Sequence, residues 1–284
     1  MSSNVIKTFL LLGALTFLLL FFGQVLAGQI GFIFALFFVI IMNFFTYWYS
    51  DKFVLSMYRA RKVSETDAPE LYRVVREVSS RAKVPMPSVY IIPSDNLNAF
   101  ATGRSPNHAS VAATDGIIRV LSSNELQGVI AHEISHIKHR DVLIATVAAT
   151  IAGVISYLAT RAQWAAIFGG FGGRDDRGGQ NIFGVIILAI LAPFLALIIQ
   201  LTLSRSREYY ADESAAKLLH TGNGLASALE KLENANSSRP LRFGSEAGAS
   251  LFIVNPFRGR NFVSLFSTHP KTSERILLLR SYRF

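Results

Sequence analysis

The chain has 284 residues, 51% of them hydrophobic, a mean hydropathy of +0.36 and a net charge of +9, a composition that points to lipid rather than to an ordinary soluble domain. Cysteine is absent, which excludes a disulfide scaffold, a zinc-thiolate site and a cysteine nucleophile, so any metal must bind through nitrogen and oxygen. The basic residues are scattered without an RNA- or DNA-binding pattern, and they read as a cytoplasmic face on anionic lipid rather than as a nucleic-acid surface.

From Thr8 to Ser50 no side chain is charged, and two apolar stretches, Val5 to Leu26 and Ile30 to Tyr49, flank the short polar sequence Ala27-Gly28-Gln29. Each is long enough to cross a hydrocarbon core, which takes about 20 helical residues, and residues 1–50 are expected to form a transmembrane hairpin. A signal peptide cleaved after Ala27 is the rival reading of the first stretch. A second pair lies at Val142 to Arg161 and Ile182 to Leu203, within residues 142–204, joined by a Gly-rich loop over residues 168–180. In its first member Ala145, Ala149 and Gly153 form a small-residue stripe suited to close helix approach, and Pro193 interrupts the second. Lys52, Arg59, Arg61, Lys62, Lys138, Arg140, Arg205 and Arg207 flank the membrane ends on one side, which places both termini and the middle segment in the cytoplasm. Residues 51–141 and 205–284 should therefore meet as one split domain. Within the first block a helix is expected over Ala68 to Lys83, with Leu71, Val74, Val75 and Val78 on one side, followed by short strands at Ser88 to Ile92 and Ser110 to Thr114. The second block opens as a helix through Leu219, and Leu225 to Leu232 is also helical. Residues 234–262 are rich in Gly, Ser and Pro and could form a lid.

Ser122-Ser-Asn-Glu125 has the pattern of a capping box, so a helix should start there and run through Ala131-His-Glu-Ile-Ser-His136 toward Asp141. His132 and His136 are then one turn apart on one face and can offer two imidazole nitrogens to a single Zn2+. Glu133 is turned by about 100° from His132, which sets it beside the metal as a base for an activated water. Catalytic zinc sites take three protein ligands, so the chain must supply another. His139 would have to fold back to reach the same ion. Glu208 is better placed, on a helix leaving the membrane beside the one that enters it, and Asp212 shares its face and can orient a ligand imidazole. Ala211 and Ala215 flank Asp212, and small residues there would let the two helices approach.

His-Glu-x-x-His followed, after a membrane hairpin, by Glu-x-x-x-Asp resembles the HtpX-type membrane metallopeptidases, relatives of the CAAX prenyl proteases. His136-Ile-Lys-His-Arg-Asp141, Asn98-Ala-Phe-Ala101, Asn255-Pro-Phe257 and Thr268-His-Pro-Lys-Thr-Ser-Glu-Arg275 extend the resemblance along nearly the whole chain. It implies a mainly α membrane protein with four transmembrane helices and a split cytoplasmic zincin-like α+β catalytic domain. It further implies an endopeptidase of the bacterial inner membrane that degrades misfolded membrane proteins, with one Zn2+ on His132, His136 and Glu208 and with Glu133 as general base. Asp212, Asp141 and Arg275 are expected behind the ligands. Asn98, Ala99, Phe100 and Ala101 are expected on an exposed edge strand that an extended substrate could join through main-chain hydrogen bonds. His269 is the candidate donor to the developing oxyanion. A CAAX-type prenyl-protein endopeptidase and a non-catalytic scaffold with structural zinc are the alternatives. Four candidate spans are fewer than the first resembles, and Glu133 has no task in the second.

Overall fold

The computed structural model describes residues 3–147, 205–238, 253 and 270–284. Helix α1 (Ser3–Met57) is helical along its length but reverses at Gly28, where φ is 58°. The reversal brings Asn43 Nδ2 within 2.9 Å of Thr16 Oγ1, to which it donates, whereas a straight helix would hold these residues about 40 Å apart. The two halves of α1 thus fold back on each other at Gly28. Phe17, Phe34, Phe37, Ile40 and Phe44 are exposed among the described residues, a surface that water would penalise and a lipid phase would accept. Among the described residues one segment, Gly28–Met57, is long and apolar enough to cross a membrane. Of the second apolar pair only the helical residues 142–147 are described; the rest of it and the Gly-rich loop lie outside the described residues.

Beyond α1 the chain enters a four-stranded sheet of β1 (Arg61–Lys62), β2 (Ser88–Ile92), β3 (Ala99–Ser105) and β4 (His108–Thr114), in the order β1-β2-β4-β3. β2 and β4 run parallel, and the other two pairings are antiparallel. Helix α2 (Pro69–Ala82) buries Leu71, Val74, Val75 and Val78 as its spacing requires. A short helix α3 (Asp115–Val120), which periodicity did not announce, starts where the Thr114 hydroxyl accepts from the Ile117 N–H.

Helix α4 (Ser123–Lys138) is the centre of the soluble part and packs against α2, β3, α5 (Arg205–Leu219) and α6 (Asn223–Ser238). Its capping box forms as expected: Ser122 Oγ accepts from the Glu125 N–H, and Glu125 Oε2 accepts from the Ser122 N–H at 2.7 Å. Glu125 does more than cap, because it also accepts from Ser227 at 2.6 Å and from Lys231 at 2.7 Å, which fastens α6 to the start of α4. Burial disfavours this carboxylate, yet Lys231, Ser227 and Ser122 outweigh it and hold the group down at about 2. The helix stops at Lys138, short of the expected run toward Asp141, because Arg140 adopts a left-handed φ of 60° and the Asp141 N–H returns to the His136 carbonyl. Helix α7 (Thr272–Ser281) completes the described fold, and residues on both sides of positions 148–204 share one hydrophobic core.

α4 and α6 approach so closely at Gly128 that a Cβ there would meet the Leu225 nitrogen at 2.5 Å and its Cα at 2.9 Å. Both obstacles are backbone. Gly128→Ala is expected to cost about 1–3 kcal/mol, as overpacking does, and to lower the thermal midpoint of the detergent-solubilised protein by roughly 2–10 °C. An unchanged midpoint would mean that the helices separate freely.

Candidate metal centre

α4 supplies two imidazoles one turn apart, with ring centroids 4.8 Å apart and nearly perpendicular planes. His132 Nε2 and His136 Nε2 lie 3.2 Å from each other. Glu208, in the first turn of α5, brings Oε2 to 3.6 Å from His132 Nε2 and Oε1 to 3.7 Å from His136 Nε2. A tetrahedral ion with bonds of about 2.0–2.1 Å sets its ligand atoms about 3.4 Å apart, so the triangle of donors fits zinc without rearrangement. Among the described residues these three form the group able to hold a metal ion, and all offer nitrogen or oxygen, as a chain without cysteine requires. Buried Ala211, Ala215 and Ala216 let α5 close on α4, the small-residue approach anticipated from sequence.

Each histidine has a carboxylate behind it. His132 Nδ1 is 2.9 Å from Asp212 Oδ1, and His136 Nδ1 is 3.3 Å from Asp141 Oδ2. A proton held on Nδ1 leaves Nε2 with its lone pair toward the metal position. Asp212 is itself gripped by fully buried Arg275, whose Nε and Nη2 donate to the two carboxylate oxygens at 2.7 and 2.8 Å. The third nitrogen, Nη1, donates to the Ile253 carbonyl at 3.0 Å and lies 3.8 Å from Glu208 Oε2. Burial raises the Asp212 carboxyl, but Arg275 and His132 override it and the group stays ionised below its usual range. Burial likewise opposes charge on His132, and the Asp212 and Glu208 carboxylates reverse this, pushing the ring up to about 9.

Glu133 stands beside the ligands rather than among them. Its Oε2 accepts from the Ala101 N–H at 2.8 Å, and burial pushes its carboxyl above the ordinary range against the pull of His132 and His136. The residues expected on an exposed edge need correction here. β3 is an edge of the sheet among the described residues, but Asn98, Ala99, Phe100 and Ala101 are all buried, and Glu133 takes the Ala101 N–H. Helices α4 and α1 pack against this strand, so that Ala99 and Ala101 enter one core and Phe100 the other. His139 caps α4 and meets the Tyr210 ring at 4.7 Å, apart from the metal group. His269 lies outside the described residues, as does most of the 234–262 segment considered as a lid; Ile253 is described, buried, with its N–H donating to Asn98 Oδ1. What sequence reasoning missed is the tie from Ala101 to Glu133, which no local pattern signals.

Asp212→Asn is expected to lower zinc affinity about 10- to 100-fold, the usual consequence of losing a group that orients a ligand. It also removes the charge that Arg275 grips in the interior, at a cost of up to about 3–5 kcal/mol; competition with a chromophoric chelator and thermal unfolding read the two effects separately. Metal must displace the proton from His132, which is held at about 9, so zinc affinity should rise with pH up to that value, about tenfold per pH unit for one proton. A pH-independent affinity would contradict this assignment.

Comparison with known proteins accords with this geometry. The model of peptidase family M48 matches residues 65–283. A protease HtpX homolog of Thermococcus sibiricus is 52% identical over 276 residues, covering 97% of this chain and 94% of the relative. Homologs so named in Syntrophotalea carbinolica and Pyrococcus furiosus are 53% and 54% identical, covering 98% and 97% of this chain and 98% and 94% of theirs. The crystal structure of S. mikatae Ste24p superposes with a TM-score of 0.54 at 18% identity, a likeness of fold that covers 99% of this chain and 66% of that one. By the extent of the family match and the closeness of these relatives, the chain belongs to peptidase family M48.

Proposed function

We propose that this zinc-dependent membrane endopeptidase binds one Zn2+ on His132, His136 and Glu208 and uses Glu133 as general base to hydrolyse peptide bonds of misfolded or damaged membrane proteins. The triangle of three ligand atoms with Glu133 at its side is the observation that carries the reading. Zinc, when bound, supplies Lewis acidity that polarises the scissile carbonyl and makes water acidic. Glu133 is aimed by the Ala101 N–H, takes the water proton, and later passes it to the leaving amine. Its raised proton affinity suits a group that must both take and release a proton. Asp212 and Asp141 hold the two imidazoles in their metal-facing orientation, and Arg275 keeps Asp212 ionised. The substrate backbone adds along the outer edge of β3 beside Ala101, and His269 donates to the developing oxyanion.

In the same reading α1 and the apolar pair within residues 142–204 form two hairpins of the plasma membrane. Residues 51–141 and 205–284 then make one zincin-like domain on the cytoplasmic face, where the basic residues meet anionic lipid and damaged membrane proteins are removed in quality control.

Glu133→Gln is expected to retain one zinc per chain and to lose about 10²- to 10⁴-fold in cleavage rate, the scale of acid-base catalysis. Glu208→Ala is expected to lose the metal. Metal analysis paired with proteolysis of an unfolded membrane protein measures both. Undiminished cleavage by the Glu133 variant, or full zinc content in the Glu208 variant, would sink the corresponding role.

A further inference from the structure

We propose that the centre cuts its substrates close to the membrane surface, because the strand beside it is pinned at a fixed short distance from the membrane-facing end of α1. The inference rests on the membrane and edge-strand readings above. β3 joins the two places directly. At Ala101 its N–H holds Glu133. Three residues on, a bulge leaves Arg104 unpaired between the pairs Gly103 with Ala109 and Ser105 with His108. A bulge re-aims the side chain it carries, and the Arg104 guanidinium lies 4.3 Å from the centroid of the Trp48 ring.

Trp48 marks the lipid boundary. It closes the stretch from Thr8 to Ser50 that has no charge, and Tyr49 beside it carries Lys52 Nζ 5.1 Å over its ring. Trp and Tyr at the end of an apolar helix, followed by charge, are the signature of the interface. The attachment is stiff, because Tyr58 packs on Phe100 with centroids 5.3 Å apart and Val54, Leu55, Ile92, Phe100 and Ala112 form their own core. On the other side Thr146, in the helical residues 142–147, contacts the Thr102 hydroxyl at 2.9 Å and accepts from the Gly103 N–H at 3.3 Å. β3 is therefore seated between the two helical segments that lead to the membrane. Three residues of extended chain span about 10 Å. A polypeptide leaving the bilayer beside Trp48 needs only about four to six residues to bring a peptide bond to Glu133. A longer tether dilutes the bond, with an effective concentration falling as about the −3/2 power of its length. The preferred substrate class is the juxtamembrane segment of an integral-membrane protein.

The test uses the full chain in lipid nanodiscs with single-span substrates that carry one unstructured segment, the same in all and cut by the wild type in soluble form. The segment is placed roughly 2, 5, 15 or 40 residues from the span, and rates are expected to be near zero at the first, maximal at the second, and about 20-fold below the maximum at the last. Equal rates at the second and last positions, or efficient cleavage at the first, would overturn the proposal. If neither the tethered nor the soluble segment suffers any cleavage that Glu133→Gln abolishes, the endopeptidase assignment of this site fails and the ruler fails with it. Cleavage of the soluble segment alongside a flat distance profile refutes the ruler alone.

Discussion

A buried charge imbalance is the constraint on which the interior depends. Glu133, Glu208 and Asp212 are carboxylates with little or no exposure, and Arg275 is the guanidinium buried among them. With neutral imidazoles the group is left with two negative charges, which is the charge of one divalent cation. In a low-dielectric interior such an excess costs several kcal/mol per uncompensated ion. A proton on His132 or Glu133, both of whose proton affinities are raised, offsets part of it. Metal binding thus completes the core electrostatically as well as chemically.

Everything around α4 serves to keep that cluster together. Glu125 fastens its first turn to α6, Gly128 lets the two backbones touch, and the Ala residues of α5 bring Glu208 and Asp212 onto the histidine face. Arg275 then draws α7 and the Ile253 carbonyl onto the same carboxylate. A helix carrying two ligands is common; here it is also braced by neighbours that each contribute a polar group to a single network.

The parts of this arrangement that sequence reveals are those set by local geometry. The capping box at Ser122 and Glu125, the one-turn spacing of His132 and His136, and the apolar face of α2 all depend on residues within a few positions of each other. Glu208 was reachable because Asp212 lies one turn beyond it and the apolar segments return the chain to the same side. The contacts that were not legible cross the fold. Ala101 meets Glu133 from 32 positions away, the value of Gly128 lies in the backbone of Leu225, and Arg275, though expected behind the ligands, gave no sign that its partner would be Asp212, 63 positions away. The edge at Asn98 to Ala101 was recognised as an edge but expected to be exposed. Strand position follows from pairing, whereas exposure depends on what α1 and α4 lay over it.

The near-equilateral set of separations between the ligand atoms, 3.2, 3.6 and 3.7 Å, also bears on which metal the protein accepts. Imidazole and carboxylate donors favour copper over zinc on affinity alone, and nickel lies close behind. Square-planar coordination, which those ions prefer, would need one pair of donors on opposite sides of the metal, about 4 Å apart at bonds of about 2.0 Å. No pair here is so disposed, and the two histidine donors are set 3.2 Å apart by their one-turn spacing on α4. The one-turn spacing of the histidines on α4 thus favours the tetrahedral arrangement of zinc over the square-planar one of its stronger-binding competitors.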